Sequence, residues 1–156
     1  MVGTLRVLLS LAVLAAVACG QNDDPNGAKD LYARVTADKG YRAWRRAPGF
    51  PERKPSFTSH SDAVEVFVDP KVSTALDGPT PVRSWPAGSI IVKESFSGEA
   101  TTLIAAMEKR DDGTWFWAEW DANGKALFSG KPKVCVECHD NRAAYSDWVY
   151  SFEFPR

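Results

Sequence analysis

The chain has few side chains able to hold a metal ion, and it has no surplus of charge. Its 156 residues include three cysteines, two histidines and two methionines, with a formal net charge of −1. Near-neutral charge removes the electrostatic case for a nucleic-acid partner or a polybasic membrane contact. A transmembrane helix needs about 20 consecutive apolar residues, and the run from Val7 to Val17 falls short of that. A structural zinc site takes four ligands. After Cys135, Cys138 and the adjacent His139, the body of the chain has only the distant His60 left to offer.

What the chain does have is Cys135-Val136-Glu137-Cys138-His139. Cys-x-x-Cys-His is the attachment sequence of c-type haem. Two thiols two residues apart can each add to one porphyrin vinyl group, and the next residue then supplies the proximal imidazole. A thiol–disulfide redox centre would be expected beside a βαβ pattern, which is not visible here, and neighbouring Cys138 and His139 would be awkward partners on one zinc ion. One covalently attached haem c is therefore expected, with His139 as iron ligand. The redox and zinc readings stand behind it.

The N-terminus reads as an export signal over residues 1–18. Arg6 precedes a short apolar core that ends in Ala16-Val17-Ala18-Cys19. The segment resembles a bacterial lipoprotein signal, in which Cys19 becomes the acylated first residue, although Ala16 stands where that pattern prefers Leu. Residues 19–27 are polar and turn-forming, as expected of a flexible tether on a lipid anchor. The haem domain is then expected over residues 28–156. One cysteine goes to lipid and two go to haem, leaving none for a disulfide. The expected location is the periplasm or cell envelope, where c-type haem is attached.

Within the domain, helical spacing at Leu31 and Val35 predicts a helix from about Ala28 to Trp44, interrupted at Gly40. Ala63–Val68 alternates as a strand and Asp69-Pro70 ends it, with a short helix or loop from Lys71 to about Leu76. Further strands are expected at Ser89–Phe96, Thr101–Lys109 and Thr114–Trp120, joined through turns such as Asp111-Asp112-Gly113. Past the haem motif come a helix to about Tyr145 and a final strand near Asp147–Phe152. The fold class is α+β: an antiparallel, curved sheet with peripheral helices and a C-terminal haem-binding helix.

A mainly β domain ahead of a C-terminal haem motif is unlike the helical electron-carrier cytochromes. The chain resembles the cytochrome P-460 family, with the related β-type cytochromes c′, from about Tyr41 to Tyr150. The resemblance rests on Tyr41-Arg42-Ala43-Trp44, Val66-Phe67-Val68-Asp69-Pro70, Pro86–Glu94, Met107–Arg110 and Gly113–Trp117. Cys135–His139 and Asp147-Trp148-Val149-Tyr150 complete the set. It implies that Lys93, in Val92-Lys93-Glu94, forms an extra covalent bond from its amine to a porphyrin meso carbon. It also implies oxidation of hydroxylamine at a five-coordinate iron, with NO binding as the alternative in members that lack the cross-link. A plain electron carrier is a third reading, with Met107 or His60 as sixth ligand. Met107 is expected in the core and His60 in a surface or capping role.

From alternation, Lys93 shares a face with Ile91 and Ser95, and Glu65 shares one with Phe67. Phe67 is a candidate cap for the distal pocket, with a core aromatic as the base-rate alternative, and Glu65 is a candidate proton acceptor there or, equally, a solvated strand residue. The chain departs from the family's best-known members at Val64, where they carry Arg, and at Gly130-Lys131, which supply no carboxylate. Expected partners are a small nitrogen substrate or NO, a periplasmic electron-transfer protein, a membrane through the lipid anchor only, no nucleic acid, and a homodimer as a compatible state.

Overall fold

The computed structural model describes residues 22–152. The export signal and Cys19 lie outside the described residues. Helix α1 (Pro25–Thr36) starts where Asp24 accepts a 2.8 Å hydrogen bond from the Gly27 amide and Pro25 opens the first turn. Its Ala28, Leu31 and Val35 recur on one face and are fully buried. A 3-10 turn, Tyr41–Ala43, follows the left-handed Gly40. Two short strands, β1 (Arg45–Arg46) and β2 (Lys54–Pro55), both pair with β3 (Ala63–Val68). Helix α2 (Pro70–Leu76) repeats the device of α1, with Asp69 accepting from the Val72 amide at 2.8 Å and Pro70 next to it.

Strands β4 (Ile90–Ser97), β5 (Ala100–Lys109), β6 (Trp115–Asp121) and β7 (Ala126–Gly130) continue from β3 as an antiparallel meander. Seven strands thus form one open sheet among the described residues, and the α+β expectation holds. The chain closes with α3 (Lys133–His139), a 3-10 turn (Asp140–Arg142) and α4 (Ala143–Ser146).

The sheet is covered on both faces, and this decides where a site can form. On one face Phe67, Val92, Ala106 and Ala118 lie in register across β3 to β6 and pack with Leu31 and Val35 of α1. On the other, Val68, Ile91, Met107 and Trp117 form a row with Val72 of α2, Trp85 and Val149 packed near them. Burying each of these aliphatic side chains contributes about 1.5–3 kcal/mol. Two separate cores therefore sandwich the sheet.

The helical stretch expected to about Trp44 forms as two pieces on either side of the break at Gly40: α1 ends at Thr36, where Ala37 turns extended, and the 3-10 turn Tyr41–Ala43 follows Gly40 at φ 66°. Two expectations are corrected. The tether read over residues 19–27 is docked from Asn22 onward. Asn22 bridges to Ser129, the Asp23 amide donates to the Ser129 carbonyl at 3.2 Å, and the helix begins at Pro25. No strand forms at Asp147–Phe152. Asp147 and Trp148 instead take left-handed backbone at φ 49° and 74°, which turns the chain back beneath His139.

Candidate haem site

The pairing register assembles the site. Val66 of β3 stands opposite Lys93 of β4, Lys93 opposite Ala105 of β5, Ala105 opposite Glu119 of β6, and Glu119 opposite Phe128 of β7. Directly opposed residues share a face, so these five form one row across the sheet. All five line a cavity of about 280 Å³. Ile91, Met107 and Trp117 from the neighbouring row line it too, and α3 brings Val134, Cys135, Cys138 and His139 across its other side. The walls are mainly apolar, with Lys93, Glu119, His60 and Tyr150 as their charged or ionisable exceptions outside α3.

His139 is fixed from three directions. Its Nδ1–H donates to the Trp148 carbonyl at 2.7 Å, while Trp117 and Tyr150 meet its ring edge-on at centroid distances of 4.6 and 5.0 Å. Tyr150 is itself held, its hydroxyl lying 2.8 Å from both the Cys138 carbonyl and the Asn141 side-chain oxygen, which share its one proton. Burial pushes the His139 imidazole down to about 4, against the opposing pull of the Trp148 carbonyl. The ring is neutral at ordinary pH and Nδ1 is committed, which leaves Nε2 with a free lone pair. A metal-ligating histidine requires that tautomer, set by the hydrogen bond at its other nitrogen.

Cys135 and Cys138 are free thiols, the first half-buried and the second exposed. Burial pushes Cys135 up to about 11, with the Glu119 carboxylate acting the same way. Burial thus holds this thiol protonated. No cluster of three or more His, Cys, Asp or Glu side chains able to hold a metal ion exists among the described residues. The zinc reading of the motif thus lacks a ligand set among the described residues.

The cytochrome P-460 family model matches residues 38–151. This chain belongs to the cytochrome P-460 family. As a family member it is a haem-binding cytochrome, and the residues present fit that group. Two unpaired thiols a helical turn apart, one imidazole with its outer nitrogen free and an apolar cavity between them and the sheet are what c-type attachment needs. No curated protein matches the sequence.

Lys93 lies in the cavity wall beside α3. Burial lowers its ammonium to about 8, opposed mainly by Cys138 and the Glu119 carboxylate. A large fraction of the amine is therefore uncharged in mildly alkaline solution.

The two distal candidates from the sequence are misplaced. Glu65 and Phe67 occupy the opposite face of β3. Phe67 packs edge-on against Tyr41 with ring centroids 5.5 Å apart, in the α1-side core. Glu65 pairs with Arg46 at 3.0 Å and Arg53 at 3.5 Å. The face was misassigned because both sides of β3 carry apolar residues and alternation alone does not say which one meets the haem motif.

Glu119 and His60 line the cavity instead. His60, expected at the surface, lines the cavity with its Nδ1 3.3 Å from the Glu119 carboxylate, at an angle that forms no regular hydrogen bond. Glu119 carried a signal that could have found it: alternation puts it on the face of Trp115 and Trp117, a carboxylate among aromatic side chains. His60, in a loop, carried none. Met107 is buried as expected and also forms part of the cavity wall.

Proposed function

We propose that the chain is an exported, lipid-anchored monohaem c-type cytochrome that oxidises a small nitrogen compound of the hydroxylamine type. One observation supports this above the others. A mainly apolar cavity carries an amine (Lys93), a carboxylate (Glu119) and an imidazole (His60) together, and His139 lines the same cavity. A site that only stored a protonless diatomic gas would gain nothing from desolvating three such groups.

Cys135 and Cys138 would hold haem c by thioether bonds, and His139 would ligate its iron through Nε2. When bound, the haem supplies an iron centre that takes electrons from a coordinated ligand one at a time. The protein's own residues supply the rest. Glu119, backed by His60, accepts the protons that N–H and O–H groups release on oxidation. Val66, Ile91 and Met107 keep the cavity dry, which strengthens those polar interactions. Electrons leave to a periplasmic one-electron carrier.

Lys93 would modify the porphyrin through its amine. Joining that nitrogen to a meso carbon replaces one N–H and one C–H bond by a C–N bond. Two protons and two electrons are removed, so a two-electron oxidant of the peroxide class must accept them. The uncharged amine that burial favours is the form with a lone pair to make the bond.

The deciding experiment is the absorption spectrum of the ferrous full-length protein beside its Lys93→Ala variant. A red-shifted Soret band that is lost in the variant, together with hydroxylamine oxidation by the wild type, supports the proposal. Identical ordinary c-type bands, tight NO binding and no turnover would make the protein an NO binder, a reading favoured by the apolar walls. A low-spin six-coordinate spectrum abolished by His60→Ala or Met107→Ala would make it an electron carrier.

A further inference from the structure

The turn beneath His139 is held by far more than a chain reversal requires. Asp147 and Trp148 are consecutive non-glycine residues in left-handed backbone, a conformation that persists only where the surroundings impose it. The imposing group is the Asp147 carboxylate. Lys109 Nζ donates to both of its oxygens, at 2.7 and 2.8 Å. The Ser84 hydroxyl and the Trp85 amide donate at 3.0 and 2.9 Å, and Trp115 Nε1 at 3.4 Å. Lys109 lies at the far end of β5 and is 6% exposed. The preceding residue is pinned as well, with Trp85 Nε1 donating to the Ser146 carbonyl at 3.1 Å. All these bonds converge just before the Trp148 carbonyl, the acceptor of the His139 Nδ1 proton.

A buried ion pair adds little net stability compared with apolar residues of similar size, and a glycine at either position would make the reversal without strain. Neither economy is taken. We propose that the Lys109–Asp147 ion pair is a positioning device for the proximal ligand: it locks the Asp147-Trp148 turn so that the Trp148 carbonyl fixes the tautomer, ring rotation and electron donation of His139. This rests on His139 as iron ligand, and it holds whatever substrate the iron meets. Outer-shell acceptors of this kind tune the metal through the ligand's second nitrogen. Here the control would originate in a lysine 30 residues before His139 in sequence, on a strand of the sheet, with neither member of the pair touching the imidazole.

The test uses the full-length, haem-loaded protein and two variants, Lys109→Met and Asp147→Asn. Asn keeps a side-chain oxygen and tolerates left-handed backbone, so it carries the test if Lys109→Met does not fold. The readouts are the iron–imidazole stretching frequency of the ferrous protein and the reduction potential, with thermal unfolding as the control for folding. A weakened Nδ1–H bond should lower the frequency and raise the potential in each folded variant. A folded variant with wild-type frequency and potential would overturn the proposal and leave the pair as an anchor for the turn. A wild-type chain that attaches no haem would overturn the ligand assignment itself, a failure visible in its absorption before any variant is made.

Discussion

Lys93 and Glu119 lie on one cross-strand row of the cavity face, with Ala105 alone between them. The carboxylate favours the ammonium form and burial opposes it, and burial wins, bringing Lys93 down to about 8 from an ordinary 10.5. The sign of the linked stability follows. Between pH 8 and 10.5 the unfolded chain binds more protons than the folded one, so stability should rise with pH across that window. The full effect is about 3 kcal/mol. Urea unfolding of a haem-free Cys135→Ser/Cys138→Ser chain should show the rise, and adding Lys93→Met should remove it. Parallel pH profiles in the two proteins would mean that the amine is solvated.

Glu119→Gln keeps the shape of the cavity wall and removes its proton acceptor. Losing a general base slows proton transfer by about 10²–10⁴-fold. Hydroxylamine oxidation should fall within that range while the ferrous spectrum stays unchanged. His60→Ala, which removes only the backing group, should cost less. Wild-type turnover in Glu119→Gln would rule out the carboxylate as the acceptor.

The two faces of β3 should behave as opposites. Val66→Phe intrudes on the cavity and should impair haem attachment, read as the ratio of haem absorbance to protein. Phe67→Ala empties a position in the α1-side core and should cost about 3–5 kcal/mol without altering the spectrum of the folded fraction. Glu65→Gln should cost less than about 1 kcal/mol, as partly exposed ion pairs do, and should also leave the spectrum alone. A spectral change in Glu65→Gln would contradict the register.

Glu94 is 1% exposed and held by Arg42 at 2.9 and 2.5 Å and by Thr101 at 2.7 Å. Burial pushes its carboxyl up, but these bonds outweigh burial and hold it below the ordinary carboxylate value of 4.5. Its contribution to stability is therefore present above pH 4.5 and lost as the pH falls below it. Arg42→Ala leaves the carboxylate buried without its cation and should cost about 3 kcal/mol at neutral pH. Chemical denaturation at pH 7 measures this, and a loss under 1 kcal/mol would mean that Thr101 alone satisfies Glu94.

Much of the fold was legible in the residues. Ala63–Val68 ends where Asp69-Pro70 supplies a cap and a helix-starting proline, so the sequence marked both the strand and the helix after it. The same pair at Asp24-Pro25 marked the true start of α1, but it was absorbed into the presumed tether. The turn at Asp111-Asp112-Gly113 was equally local, since Gly113 takes φ 80° and Asp112 accepts from the Thr114 amide. Asp147–Phe152 misled because its aromatic and β-branched residues suit a strand. Its actual conformation is imposed by Lys109, Ser84 and Trp85, all distant in sequence.

By itself the sequence determined the α+β class and the family, and it singled out Cys135, Cys138 and His139 as the proposed attachment motif, because spacing along a chain is enough to mark it. It did not decide which face of the sheet that motif would meet. That choice depends on strand register and on where α1 and α3 pack, which put Val66, Lys93 and Glu119 on one side and Glu65 and Phe67 on the other. Alternation divides a strand into two faces, but only tertiary packing says which of them encloses the cavity.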